Sequence, residues 1–88
     1  MVAPIIQAQY EVLEGISGRF AQQSEQTVQM IQRLQEHLQA LQDGGWEGRG
    51  AESFFREMEN EVLPATQRLA NALSESQAIT LQIIQVLR

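Results

Sequence analysis

The sequence predicts an all-α fold: an antiparallel two-helix hairpin that pairs into a four-helix-bundle dimer. Three observations carry this expectation. Two long segments place apolar residues at heptad spacing, a short glycine-rich stretch separates them, and more apolar side chains are present than one hairpin can cover. At 88 residues the chain is a single small unit, in a size range where one core supplies only about 3–5 kcal/mol and further support is common. It has no cysteine, so disulfides are excluded, and its single histidine cannot build a closed zinc site. Self-association is the support that remains.

The first helix is expected over residues 5–42. Ile6, Leu13, Phe20, Leu34 and Leu41 form one row of its seam and Tyr10, Ile31 and Leu38 the other, with small polar residues Ser17, Ser24 and Thr27 at the centre. Pro4 suits a first helical turn, where its missing N–H has no partner to lose. Gly15 and Gly18 each cost a helix about 1 kcal/mol relative to alanine. Close approach of a neighbouring helix and simple flexibility account for them equally well. A run of glutamines from Gln22 to Gln39 lies within this periodicity and reads as a solvated helix face.

Residues 43–50, "DGGWEGRG", hold four of the six glycines and the only tryptophan. Gly44 and Gly45 read as the C-cap of the first helix, and Gly48 as a positive-φ or close-approach position. Trp46 is expected to pack over the reversal with an exposed edge.

The second helix is expected over residues 51–87, with Phe55, Val62, Leu69 and Ile83 in one row and Met58, Ala65, Ala72, Ile79 and Val86 in the next. Pro64 would kink it near residues 60–64 without ending it, because the heptad phase carries from Val62 to Leu69. Two such helices, each about 55 Å long, joined by a few residues must fold back on each other. A turn centred near Trp46–Gly50 sets Leu38 beside Met58, Leu34 beside Val62, Phe20 beside Ser76, Ser17 beside Ile79 and Leu13 beside Ile83. Ile5, Val12, Ile16 and Met30 on the first helix, and Leu63, Leu81 and Ile84 on the second, are then left uncovered as candidates for a dimer face.

The tripeptide Trp46-Glu47-Gly48 lies mid-chain between two amphipathic helices, and Trp46, Gly48, Ala51 and Phe54 follow the spacing Trp-x-Gly-x-x-Ala-x-x-Phe. In this the chain resembles the WXG family of ESAT-like small helical proteins of type VII secretion, over nearly its whole length. The resemblance implies a hairpin that pairs as a homodimer or with a second WXG-type protein. It also implies export without a signal peptide by a membrane ATPase-driven system, with a cytoplasmic stage before export and Trp46 and Gly48 taking part in recognition. Family members carry a second export element, a tyrosine followed four residues on by Asp or Glu near the C-terminus. The stretch "AITLQIIQVLR" contains none of these residues. Tyr10 and Glu14 have that spacing, but at the opposite end of the chain.

The remaining features exclude other functions. A net charge of −5, with six arginines and no lysine, argues against nucleic acid and against a basic membrane-surface helix. No segment has the length of apolar sequence needed to span a membrane, and the N-terminus has no signal-peptide pattern. His37 lies near Glu36 and Asp43 with no nucleophile at a matching helical spacing, so it reads as solvated. Glu57, Glu59 and Glu61 point to different helix faces and form no metal site, while Glu11 and Glu14 read as solvated. No enzyme and no cofactor is expected. An intracellular adaptor or chaperone for a helical toxin or another WXG-type partner is the alternative function.

Overall fold

The computed structural model describes residues 3–87, with side chains from residue 7 onward. The described residues are helical on both sides of one turn and contain no strand. Helix α1 spans Ala3–Asp43, so Pro4 occupies its first turn. The returning helix consists of α2 (Arg49–Glu57), one π-helical turn (Met58–Val62) and α3 (Leu63–Leu87). The two helices lie antiparallel in a rod measuring 69 × 17 × 14 Å. Tyr10 near the start of α1 donates a hydrogen bond to the carbonyl of Leu87 at the end of α3.

Helix α1 turns one uninterrupted heptad seam toward its neighbour. Ser17, Thr27, Ile31 and Leu38 are buried, and Tyr10, Leu13, Phe20, Ser24 and Leu34 are half-buried, at alternating steps of three and four residues. This is the seam expected from the sequence, apart from Leu41, which is exposed, and Ile6, whose side chain lies outside the described ones. The glutamines between Gln22 and Gln39 are exposed. Gly15 and Gly18 are exposed too, and a Cβ added at either would meet nothing within 4 Å. The hairpin itself therefore makes no close approach at these glycines.

The second helix departs from its expected phase. Ala51, Phe55 and Met58 face α1 before the π turn. After it the inward residues are Leu63, Thr66, Ala70, Leu73, Gln77, Thr80 and Ile84. The step from Met58 to Leu63 is one residue longer than an α-helical seam allows, and the π turn absorbs that residue. Its closing bond runs from the N–H of Leu63 to the carbonyl of Met58, five residues back. The cause lies at Pro64, whose ring in a regular helix would crowd the carbonyl of Asn60 and which has no N–H to donate. Widening the turn relieves the crowding while the backbone stays helical, with φ −63° and ψ −45° at Leu63.

The expected row of Val62, Leu69, Ile79, Ile83 and Val86 is consequently rotated out by one residue, about 100°. All five are exposed. The pairings of Leu34 with Val62, Ser17 with Ile79 and Leu13 with Ile83 do not form for that reason. At the middle of the seam a small residue meets a small residue. The hydroxyl of Ser24 donates across the seam to the backbone carbonyl of Ala70 at 3.0 Å, and Ala70 is only 2% exposed. Thr27 and Thr80, also buried, return their hydroxyls to the carbonyls of Gln23 and Ser76 at 2.7 Å. No buried side-chain N or O atom among the described residues lacks a partner.

Two substitutions test this seam. Ile31→Ala should lower the unfolding free energy by about 2–5 kcal/mol through the cavity it leaves. Ser24→Ala should cost about 1 kcal/mol through loss of the cross-seam bond. Urea denaturation followed by circular dichroism measures both, and equal midpoints for Ile31→Ala and the parent would contradict the placement of Ile31 in the core.

Candidate functional site: the tryptophan turn and one apolar face

The turn is built by backbone hydrogen bonds that only glycine permits. At the end of α1 the N–H of Gly45 bonds the carbonyl of Gln42 at 3.1 Å, and that of Trp46 bonds the carbonyl of Leu41 at 3.2 Å. With Gly45 at φ +79°, this is the pair of bonds of a Schellman C-cap, and it places Trp46 directly after the reversal. Gly48 then caps α2 at φ 110° and ψ 176°, a region open essentially to glycine alone. Its carbonyl accepts the N–H of Glu52 at 2.9 Å and starts the returning helix.

Trp46 packs back on that helix. Its ring meets Phe54 and Phe55 edge-on, with both centroid separations 5.4 Å, and the two phenylalanines meet each other at 5.8 Å. Each such pair contributes about 0.5–1.5 kcal/mol beyond its area. The cluster is still not closed, because Trp46 remains 44% exposed and Phe54 is exposed as well. Trp46 thus has both a packed side and an open one.

The second feature is a continuous apolar face. In an antiparallel pair of right-handed helices, the residues one step N-terminal to each seam position fall on the same side of the hairpin. On α1 these are Val12, Ile16 and Met30 together with Gln9, Arg19, Gln23, Gln26, Arg33 and His37; on the returning helix they are Gly50, Phe54, Glu57, Val62, Ala65, Leu69, Ala72, Ser76, Ile79, Ile83 and Val86. The face runs from the aromatic cluster to the open end, where Ile79, Ile83 and Val86 line a shallow groove with Leu87. A neighbouring groove is formed by Val12, Leu13 and Leu87. Residues one step C-terminal to the seam make the opposite side, which carries Glu11, Glu14 and Glu25 with many glutamines. The apolar row is that of the returning helix, and α1 borders it with polar as well as apolar side chains.

Measured against the dimer-face residues expected from the sequence, Val12, Ile16 and Met30 lie exposed on this face. Leu81 is exposed on the opposite side. Two expectations are corrected by the extra residue in the π turn: Ile84 is buried within the hairpin at 3% exposure, and Leu63 is half-buried in the seam. The side chain of Ile5 lies outside the described ones. Sequence reasoning missed Val62, Leu69, Ile79, Ile83 and Val86 as surface residues because it spent them on the seam. The signal for Leu69 and Ile79 was the smaller residue one position later, Ala70 and Thr80, matching the small residues Ser17, Ser24 and Thr27 of α1.

His37 and the carboxylates Glu57, Glu59 and Glu61 are all exposed, and no group of metal-ligating side chains is assembled among the described residues. Tyr10 sits beside the C-terminal end of its own chain through its bond to Leu87. No described helix is long and apolar enough to cross a membrane.

A helical hairpin reversed by a Trp-x-Gly turn defines a class of small helical proteins. A model of the family described as "Proteins of 100 residues with WXG" matches residues 5–82, and the chain belongs to this WXG100 family. No curated protein and no solved structure gives a significant match. The family comprises small helical proteins of the ESAT-like type VII secretion class; they are not enzymes, leave the cell without a signal peptide and typically dimerise with partners of the same kind.

The two kinds of glycine in the turn separate experimentally. Gly48→Ala should destabilise the hairpin by about 1–3 kcal/mol through backbone strain alone, since a Cβ there meets nothing within 4 Å. Gly50→Ala, at an ordinary helical position with equally open space, should stabilise it by about 0.4–1 kcal/mol. Thermal melts of the two variants should therefore move in opposite directions.

Proposed function

We propose that this protein is a type VII substrate or co-secreted partner that acts as a non-enzymatic dimer, burying the apolar face of the returning helix against a second hairpin. The observation that carries this reading is the row Val62, Leu69, Ile79, Ile83 and Val86, with Val86 84% and Ile79 55% exposed in the single chain. Exposed aliphatics in one contiguous row are characteristic of a protein interface. Each would contribute about 1–2 kcal/mol on passing from half exposure to burial, and a hairpin pairing with its copy gives the four-helix arrangement in which such rows are normally covered. The export route is signal-peptide-independent, and the part of Trp46 left open by Phe54 and Phe55 is what a secretion ATPase would read, with Gly48 holding the turn in shape.

Sedimentation equilibrium at micromolar concentration tests the association. A homodimer is expected, and Leu69→Glu with Ile83→Glu should give a helical monomer. A parent chain that is itself folded and monomeric, and that captures a different helical protein from its host, would replace the homodimer by the adaptor reading. For export, Trp46→Ala should reduce secretion in the native host by more than it reduces helicity. Undiminished secretion of that variant would remove the recognition role of Trp46.

A further inference from the structure

The returning helix carries two candidate seams one residue apart, and the π turn decides between them. In an unbroken α-helix, Ala51, Phe55 and Met58 are followed on the same face by Val62, Ala65, Leu69, Ala72, Ser76, Ile79, Ile83 and Val86. In the structure they are followed by Leu63, Thr66, Ala70, Leu73, Gln77, Thr80 and Ile84. The first set has one polar member, Ser76, where the second has Thr66, Gln77 and Thr80, so hydrophobic burial within one hairpin favours the first. The folded chain adopts the second. The extra residue sits in Met58–Val62, immediately before Pro64, where the wide turn removes the clash a regular turn would impose.

We infer that Pro64 acts through this π turn as a phase-setting residue: it directs the row of α3 that carries Ala70, Gln77 and Thr80 against α1 and thereby turns the more apolar row outward as the partner face. The adopted row meets α1 at close range where Ser24 bonds the carbonyl of Ala70. Without Pro64 the turn can wind back to an α-helix. The downstream helix then rotates by about 100°, and Leu69 takes the place of Ala70 opposite Ser24. The partner face is consumed inside the hairpin. That this face receives a second hairpin rests on the proposed function; the phase of the helix does not.

Disulfide trapping reads the phase directly, because the chain has no cysteine of its own. Two reporter pairs are introduced, Ser24→Cys with Ala70→Cys and Ser24→Cys with Leu69→Cys, each in the parent and in Pro64→Ala. Intramolecular bridging, separated from intermolecular bridging by mass, should favour the Ala70 pair in the parent by tenfold or more and should reverse in Pro64→Ala. Deleting Asn60 from Pro64→Ala removes the extra residue and restores the row of Ala70 to the seam without a π turn, so bridging should return to the Ala70 pair. Circular dichroism checks that all variants are helical. Should Pro64→Ala keep the parent's preference, or the deletion fail to restore it in a helical protein, the phase-setting role is overturned. Sedimentation of the same variants without cysteines reads the other question: a phase reversal with no weakening of association leaves Pro64 as the phase-setting residue and removes this face as the dimer surface.

Discussion

The structure depends on how closely two helices can approach along a seam whose middle is made of small residues. Where the hydroxyl of Ser24 reaches the carbonyl of Ala70, the helix backbones are one side chain apart, and a leucine at either position would hold them further away. The fully buried large aliphatics lie in the flanking layers, Ile31 and Leu38 toward the turn and Ile84 toward the open end, while Phe20 and Leu73 between them are half-buried. The aliphatics of the neighbouring row, Leu69 and Ile79 among them, face outward. The narrow seam and the apolar outer face are therefore two consequences of one packing choice.

That choice requires the returning helix to change phase, and the change is confined to a single turn. Ala51 and Phe55 must face α1 close to the reversal, because Phe55 and its neighbour Phe54 receive the tryptophan ring. Further along, Ala70 and Thr80 must face α1 to keep the approach close. No regular α-helix satisfies both, since the two sets are out of step by one residue. The π turn before Pro64 reconciles them. A local defect by the rules of helix propensity is, at the level of packing, what allows an aromatic tip and a small-residue seam to occupy the same helix.

This also explains which parts of the molecule were legible in the sequence. Helix α1 was readable residue by residue, because its heptads run without interruption and hydropathy alone fixes its inward face. The turn was readable from chemistry, since glycine at Gly45 and Gly48 answers positive φ angles that other residues resist. The second helix was read in the wrong phase because a π turn leaves no hydropathic mark: Val62 and Leu69 continue the apolar period smoothly across Pro64, and apolar weight favours them for the core. What distinguishes the real phase is the residue taken up by the turn before Pro64. Ile84 and Leu63 were assigned to the surface, and Ile79 and Ile83 to the core, by that one-residue error.

The same packing ties stability to association. Among the described residues no large side chain is completely buried, and the hairpin has a single contact line in place of an enclosed core. A chain of this length built that way has little stability in reserve, because the conformational entropy of two long ordered helices is offset by one side of each. A partner that covers the apolar face binds the folded hairpin and not the unfolded chain, so its binding free energy adds to the stability of the fold by mass action. Trp46 then serves both ends: its packed edge fixes the reversal that sets the two helices side by side, and its open edge adjoins the face that the partner would cover. An effect of substitution at the turn is for that reason interpretable only alongside a measure of folding, since Trp46 and Gly48 also hold the hairpin closed.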